Sequence, residues 1–300
     1  MPSSLSFILQ KIKDKNPLHA AKLESNILDL DADFSNLAND FFDKYIVYLE
    51  RNSMNLDFGI QCYLHMIDDM LEERFQFMMT GNYSNSSFDA VEKRIYGNPE
   101  IMTYHMHGLV LAQFLWFDQY ERIRFFIQNL KKYFPSQNKY LEIGGGHGLY
   151  IFEALNHLPE IKQFDLVDIS QSSLDLAKGI IDTSRINYHL KNIFDFSDAE
   201  KYDFITIGEV LEHVEDPLSL LKKIARLLSE NGVCYITTPI NAPMIDHIYL
   251  FHNATEIRDL FDLAGFKIIE ERIVISEKMT EKEAAKYKVP VMYAAFIKIK

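Results

Sequence analysis

The chain has 300 residues, 48% of them hydrophobic and 13% aromatic, which is enough to bury a large core and to divide into two domains. A formal net charge of −12 repels polyanions and argues against a nucleic-acid partner, and the two distant cysteines, Cys62 and Cys234, provide neither a disulfide framework nor a Cys-rich metal site. No window approaches the ~20 apolar residues of a membrane span, and the opening MPSSLSFILQKIKDKNP lacks a basic stretch followed by an apolar run, so a cytoplasmic protein is expected.

Residues 3 to 134 read as helices. Tyr63, Met66, Ile67, Met70, Leu71, Phe75 and Met78 recur at spacings of three and four, as do Leu111, Phe114, Leu115, Ile123, Phe126, Leu130 and Phe134. GNYSNSS at 81 to 87 is a polar loop, and Asn98 with Pro99 opens the last long helix. Most of the Met and aromatic stripe is expected to be core. The segment Met102-Thr-Tyr-His-Met-His-Gly108 differs, because Tyr104, His105 and His107 set three polar rings in an apolar helix, and at least one of them should face a ligand.

After Pro135 the texture changes to short β-type runs at 140–143, 164–168, 186–190, 202–207 and 233–238, with helical patterns at 149–158, 172–181 and 218–228 between them. Such alternation predicts parallel strands with crossover helices. A helix at 254–264 precedes two longer runs, 267–276 and 289–299, which are joined by the charged EKMTEKEAAKYK and could pair antiparallel at one side of the sheet. The boundary falls near residue 137, giving a helical domain over 1–137 and an α/β domain over 138–300.

YLEIGGGHG at 140–148 places Gly144, Gly145, Gly146 and Gly148 between the first strand and its helix, where a ligand can approach the backbone. Asp168, in LVDIS at the end of the second run, can accept both hydroxyl hydrogens of a ribose. The two features together predict a nucleoside cofactor. The dinucleotide pattern G-x-G-x-x-G needs glycine at 149, where the chain has leucine, and a Gly-Lys-Ser/Thr phosphate loop is absent.

The run Glu142-x-Gly144-x-Gly146-x-Gly148 resembles the class I S-adenosylmethionine-dependent methyltransferases, and the likeness continues through KNIFDF at 191–196, YDFITIGEVLEHVEDP at 202–217 and LLSENGVCYITTPINAP at 227–243. The resemblance implies a Rossmann-like seven-stranded, mostly parallel sheet with a reversed C-terminal strand, behind an all-helical N-terminal domain. It implies that Glu142, Gly144, Gly145 and Gly146 border the methionine part of S-adenosylmethionine, that Asp168 and Ile169 hold the ribose side, that Asn192 and Ile193 flank the adenine, and that Glu209 also belongs to the cofactor site. Tyr104, outside the span of the resemblance, is assigned to the same site as one of the three polar rings of its apolar helix. Asn192 stands where such families usually have aspartate; its amide oxygen can still meet the adenine amino group, which is the favoured reading, and a loop cap is the alternative.

Glu209, Glu212 and His213 are spaced to gather two carboxylates and an imidazole on one side of a helical turn, and His247 follows in the loop after the fifth strand. Such donors suit Mg²⁺ or a similar divalent ion. E-x-x-E-H resembles the ubiquinone-pathway O-methyltransferases, and with the later Asp-His it also resembles the small-RNA 3′-terminal 2′-O-methyltransferases. Without a metal, His213 or His247 is the candidate general base.

The resemblance therefore implies methyl transfer to a hydroxyl, or less favourably an amine, of a small-molecule substrate. The helical half is expected to be a cap that binds substrate, and exposed aromatics on its last helix would fit a homodimer. RNA 3′-end methylation and a non-catalytic cofactor-binding subunit are the alternatives. The acidic balance and the lack of basic clusters count against the first.

Overall fold

The computed structural model describes residues 3–28, 30–31, 33–134 and 139–300. The expected boundary near 137 lies outside them. The helical half comprises α1 (Ser4–Lys15), α2 (Pro17–Ile27), α3 (Phe34–Arg51), α4 (Leu56–Thr80) and the short α5 (Phe88–Val91), which runs into a π-helical turn at Glu92–Tyr96. α6 (Pro99–Leu115) and α7 (Phe117–Tyr133) complete it.

Local chemistry fixes several boundaries. Asn55 Oδ1 accepts the Phe58 N–H at the start of α4, and Gly81, at φ 79°, closes that helix in the left-handed region. Asn98 caps α6, with Pro99 in its first turn.

Two helical expectations are corrected. The single long helix from Pro99 is two helices, broken at Trp116, whose backbone is extended (φ −104°, ψ 126°). Neither glycine nor proline marks the break; a tertiary bond stands there instead, in which the Trp116 indole N–H donates to the Tyr63 hydroxyl at 2.9 Å. The apolar stripe of α4 is core only in its first part. Tyr63 and Met66 are fully buried, whereas Leu71, Phe75, Met78 and Met79 are 58%, 65%, 49% and 72% exposed, because periodicity records which residues share a face and not how far the neighbouring helices extend. Exposed apolar side chains of the helical half thus cluster on α4, with others at Phe7, Leu18, Leu28 and Val47, while no aromatic of α6 or α7 is among them.

The α/β half carries β1 (Lys139–Ile143), α8 (Leu149–His157), β2 (Gln163–Asp168), α9 (Gln171–Ile181), β3 (Ile186–Leu190), β4 (Tyr202–Gly208), α10 (Pro217–Leu227), β5 (Leu228–Ile240), α11 (Ala254–Leu263), β6 (Phe266–Ile275), α12 (Glu281–Lys286) and β7 (Val291–Ile299). The sheet order is β3-β2-β1-β4-β5-β7-β6, with β7 antiparallel to both of its neighbours and the remaining pairs parallel. This is the predicted architecture with the reversed last strand. The charged connector contains α12, which Thr280 and Glu283 start with a capping box.

Beside β1 the chain order reverses, with β2 on one side and β4 on the other, and ligand crevices form at such switch points. The helical half closes over that edge without a separate core. One apolar cluster runs from Leu5 through Phe114 to Phe204 and Phe296, and α7 lies directly on the sheet, with Phe126 5.1 Å from Tyr235 and Phe125 5.3 Å from Phe296 between ring centroids. A second cluster fills the opposite face, from Leu141 and Ile205 to Leu221 and Phe261.

Candidate active site

The glycine corner follows from backbone demand. Gly144, Gly146 and Gly148 have φ of 63°, 55° and 77°, in the left-handed region that side chains disfavour. A Cβ at Gly144 would also lie 2.5 Å from Val210, and one at Gly145 2.6 Å from Leu166. The corner is tied to β2, since the Gly144 N–H donates to the Val167 carbonyl at 2.8 Å and the Gly146 N–H to Asp168 Oδ2 at 3.1 Å. Asp168 Oδ1 accepts the Ser170 N–H at 2.8 Å. Both carboxylate oxygens are thereby fixed, each with a lone pair left for a ligand.

Glu142, at the end of β1, is 2% exposed, and its Oε2 has no partner. Burial pushes its carboxyl well above the usual carboxylate range. Ile169, Asn192 and Ile193 line the same cavity beyond Asp168. Asn192 Oδ1 accepts the Phe194 N–H at 3.0 Å and caps a 3₁₀ turn, so the loop-cap expectation describes its side-chain bond.

Glu209 departs from the expected helical turn. Its backbone is left-handed at φ 55°, and only Leu211–His213 form a single 3₁₀ turn. This turns Glu209 away from Glu212 and His213: its Oε1 lies 2.6 Å from Arg122 Nη1 and accepts the Thr237 hydroxyl at 2.8 Å. Arg122 is 3% exposed and lines the cavity. The sequence reading missed it, although the signal was available, since Arg122 shares the helix face of Phe126 and Leu130, where an apolar residue is expected.

Glu212, His213 and His247 converge. One ligand-type atom from each lies within 4.8 Å of the others, and among the described residues no other such group of three was found. Glu212 is fully buried; Oε2 accepts the Thr238 hydroxyl at 2.9 Å, while Oε1 has no hydrogen-bond partner and lies 3.8 Å from His213 Nε2 and 3.9 Å from His247 Nε2. His247 Nδ1 is 2.6 Å from the Ala242 carbonyl, and His213 Nδ1 is 3.1 Å from the Asp246 carbonyl. A carbonyl only accepts, so both Nδ1 atoms carry hydrogen, and both Nε2 atoms are directed at an unpartnered carboxylate oxygen. Against the opposing effect of burial, Asp246 and Glu212 raise the His213 imidazole, so its Nε2 takes a cation only in exchange for a proton. Burial pushes the His247 imidazole down to about 3 and so keeps it neutral, the form a metal binds. Burial, with Glu209 adding to it, raises the Glu212 carboxyl, so that oxygen gains from a proton or a cation. This donor set fits a divalent ion.

Of the three rings on α6, His105 lines the cavity and Tyr104 does not. The Tyr104 hydroxyl donates to Asp69 at 2.6 Å, and its ring stacks on His65 with centroids 4.0 Å apart. His107 is packed in the helical half, where its Nδ1 bonds the Tyr45 hydroxyl at 2.7 Å. On a helix, adjacent positions point about 100° apart, so three neighbouring rings cannot share one direction.

The cavity has a volume of about 1050 Å³ and runs from the glycine corner, past the Arg122–Glu209 pair and the His213 and His247 rings, to the helical half. Its outer walls are largely apolar, formed by Leu23, Ile67, Met70, Trp116, Met244 and Met292.

A methyltransferase-domain family model matches residues 116–271. With the glycine corner at the switch point, this makes the protein a class I S-adenosylmethionine-dependent methyltransferase; the chain belongs to the methyltransferase-domain family. Over 123 residues it is 34% identical to a ubiquinone biosynthesis O-methyltransferase of Coxiella burnetii, covering 40% of this chain and 51% of that one. The chain thus spans about half the length of this curated relative. Among solved structures, the mitomycin 7-O-methyltransferase MmcR is similar at TM-score 0.53 and 12% identity, covering 81% of this chain and 70% of that one. The plantazolicin methyltransferase BpumL, in complex with S-adenosylhomocysteine, is similar at 0.52 and 15%, covering 77% and 99%. Likeness at these identities concerns the fold. Among the described residues, no helix is long and apolar enough to cross a membrane.

Proposed function

We propose that this enzyme transfers the methyl group of S-adenosylmethionine to a hydroxyl of a small, apolar-bodied metabolite, with a divalent ion held by Glu212, His213 and His247. The observation that carries the reading is the meeting of two imidazole Nε2 atoms and an unpartnered, buried carboxylate oxygen at the wall of the cavity, where His213 and His247 share the lining with the glycine corner.

In this reading Asp168 grips the ribose, the Glu142–Gly146 corner approaches the methionine part, and Ile193 with Asn192 borders the adenine. The Arg122–Glu209 pair offers opposite charges to the carboxylate and ammonium of the methionine moiety. When bound, a divalent ion lowers the pKa of a coordinated hydroxyl and orients it. The residues supply position and exclusion: a sulfonium methyl is already electrophilic, so aligning the nucleophile and keeping water away account for most of what the protein must do.

Leu23, Ile67, Met70 and Trp116 of the helical half form the outer wall of the cavity together with Met244 and Met292, which fits a substrate-binding role for the helical half. Leu23, Ile67, Met70 and Trp116 line a shaft suited to an apolar body. A wall of this kind, with a net charge of −12, favours a small molecule over an RNA end. Ubiquinone biosynthesis, named for the Coxiella relative, supports oxygen as the methyl acceptor.

The test is transfer from methyl-labelled S-adenosylmethionine to a panel of phenols, catechols and amines, after chelation and again with Mn²⁺ restored. Oxygen methylation that depends on the metal and is lost in His247→Ala is expected. Transfer to amines alone, or transfer indifferent to chelation, would overturn the reading.

A further inference from the structure

Asp246 is buried, 5% exposed, between two imidazoles of different origin. Its Oδ2 lies 3.6 Å from His213 Nδ1, in the α/β half, and 3.6 Å from His105 Nε2, on α6. The Tyr96 hydroxyl, from the π-helical turn before α6, is 3.4 Å from the same oxygen and 3.0 Å from His213 Nδ1. We propose that Asp246 is a positioning residue of the metal centre, and that Tyr96 and His105, which hold it in place, make the helical half part of that centre. The proposal rests on the assignment of Glu212, His213 and His247 as ligands.

The first argument is orientation. A ligand imidazole keeps its direction and gains basicity at the coordinating nitrogen when its other N–H is drawn towards a carboxylate or a carbonyl. Asp246 supplies both to His213, the carbonyl at 3.1 Å and the carboxylate at 3.6 Å. His247 has only a carbonyl, that of Ala242.

The second argument is charge. Two neutral imidazoles and Glu212 bring one negative charge to a divalent ion, which would leave an uncompensated positive charge in a buried site. Asp246 supplies the second negative charge, so ion and protein balance. His105 and Tyr96 approach Asp246 from the helical half without taking any ligand lone pair, and His105 Nδ1 has no partner of its own. The ion should therefore stabilise the packing of the helical half on the sheet as well as the site itself.

Mn²⁺ binding tests this without reference to turnover. Mn²⁺ is titrated into the full chain, with free ion followed by its electron paramagnetic resonance signal, for the wild type, Asp246→Asn, Asp246→Glu, Tyr96→Phe and His247→Ala. Asp246→Asn is expected to weaken Mn²⁺ binding roughly 10- to 100-fold, Tyr96→Phe by a smaller factor in the same direction, and Asp246→Glu to recover part of the loss. S-adenosylhomocysteine binding reports that each variant is folded; should Asp246→Asn fail that check, Tyr96→Phe decides. Wild-type Mn²⁺ affinity in the deciding variant, with His247→Ala impaired, would overturn the role of Asp246 and leave the ligand assignment standing. A wild type that binds Mn²⁺ no better than His247→Ala would overturn the ligand assignment itself.

Discussion

Arg122 Nη1 and Glu209 Oε1 lie 2.6 Å apart at the bottom of the cavity, and the pair joins α7 of the helical half to the corner after β4. Removing one partner of a buried pair leaves the other charge uncompensated, at a cost of about 3–5 kcal/mol. Arg122→Met is therefore expected to lower the melting temperature and to weaken S-adenosylhomocysteine binding on the order of 100-fold, readable by calorimetric titration. Arg122→Lys should recover only part of this, because an ammonium lacks the planar fork of the guanidinium. Unchanged affinity in Arg122→Met would remove the pair from the cofactor site.

Gly144 faces two penalties at once, its φ of 63° and the 2.5 Å approach of Val210 to an added Cβ. Gly144→Ala should abolish measurable cofactor binding. Adding Val210→Ala relieves the contact but not the backbone strain of about 1–2 kcal/mol, so the double variant should bind more weakly than wild type and more tightly than the single. Equal loss in both variants would mean that the contact with Val210 is irrelevant.

His107 is 5% exposed, and burial pushes its imidazole down to about 4. In the unfolded chain it titrates near 6.5. Between those values the unfolded state binds a proton that the native state refuses, so stability rises with pH across the window and is lost as pH falls from about 6.5 to about 4. The loss attributable to His107 is about 3 kcal/mol in all. Denaturant unfolding at pH 7 and pH 4.5 should show a smaller difference for His107→Gln than for wild type. Identical differences would contradict the assignment, other buried imidazoles being common to both proteins.

Trp116 is the chain's single tryptophan, and it lines the apolar shaft. An apolar phenol entering the shaft should quench or blue-shift its emission in a saturable way, after S-adenosylhomocysteine has been bound. The mutation Ile67→Asp, in the same lining, should weaken that response at least tenfold while leaving cofactor affinity within a few-fold, since a buried unpaired carboxylate opposes an apolar ligand. Emission indifferent to every phenol tested would place the acceptor elsewhere.

The parts of this molecule that were legible in the sequence are those set by local rules. The strands alternate with helices at the expected positions, and the glycines at 144, 145, 146 and 148 form the turn between β1 and α8 where it was expected. Asn98 with Pro99 opens α6 as read. What was hidden depends on contacts between distant residues. The break at Trp116 answers to Tyr63, 53 positions away, and has no local signature. Glu209 was expected beside Glu212 by helical spacing, yet a left-handed backbone turns it to Arg122, and no spacing rule anticipates a partner from another element. Asp246 was read only as part of an Asp-His pair with no role of its own, because an acid beside a histidine becomes informative only once His105 and Tyr96 are folded against it.

The central claim is that one cavity holds the methyl donor at the glycine corner and a divalent ion at Glu212, His213 and His247. Crystals grown with S-adenosylhomocysteine and Mn²⁺, measured at the manganese absorption edge, test it most directly. The account predicts an anomalous peak bonded to Glu212 Oε1 and to the Nε2 atoms of His213 and His247, with the nucleoside's ribose on Asp168. Nucleoside density at Asp168 with no anomalous peak at those three residues would contradict it.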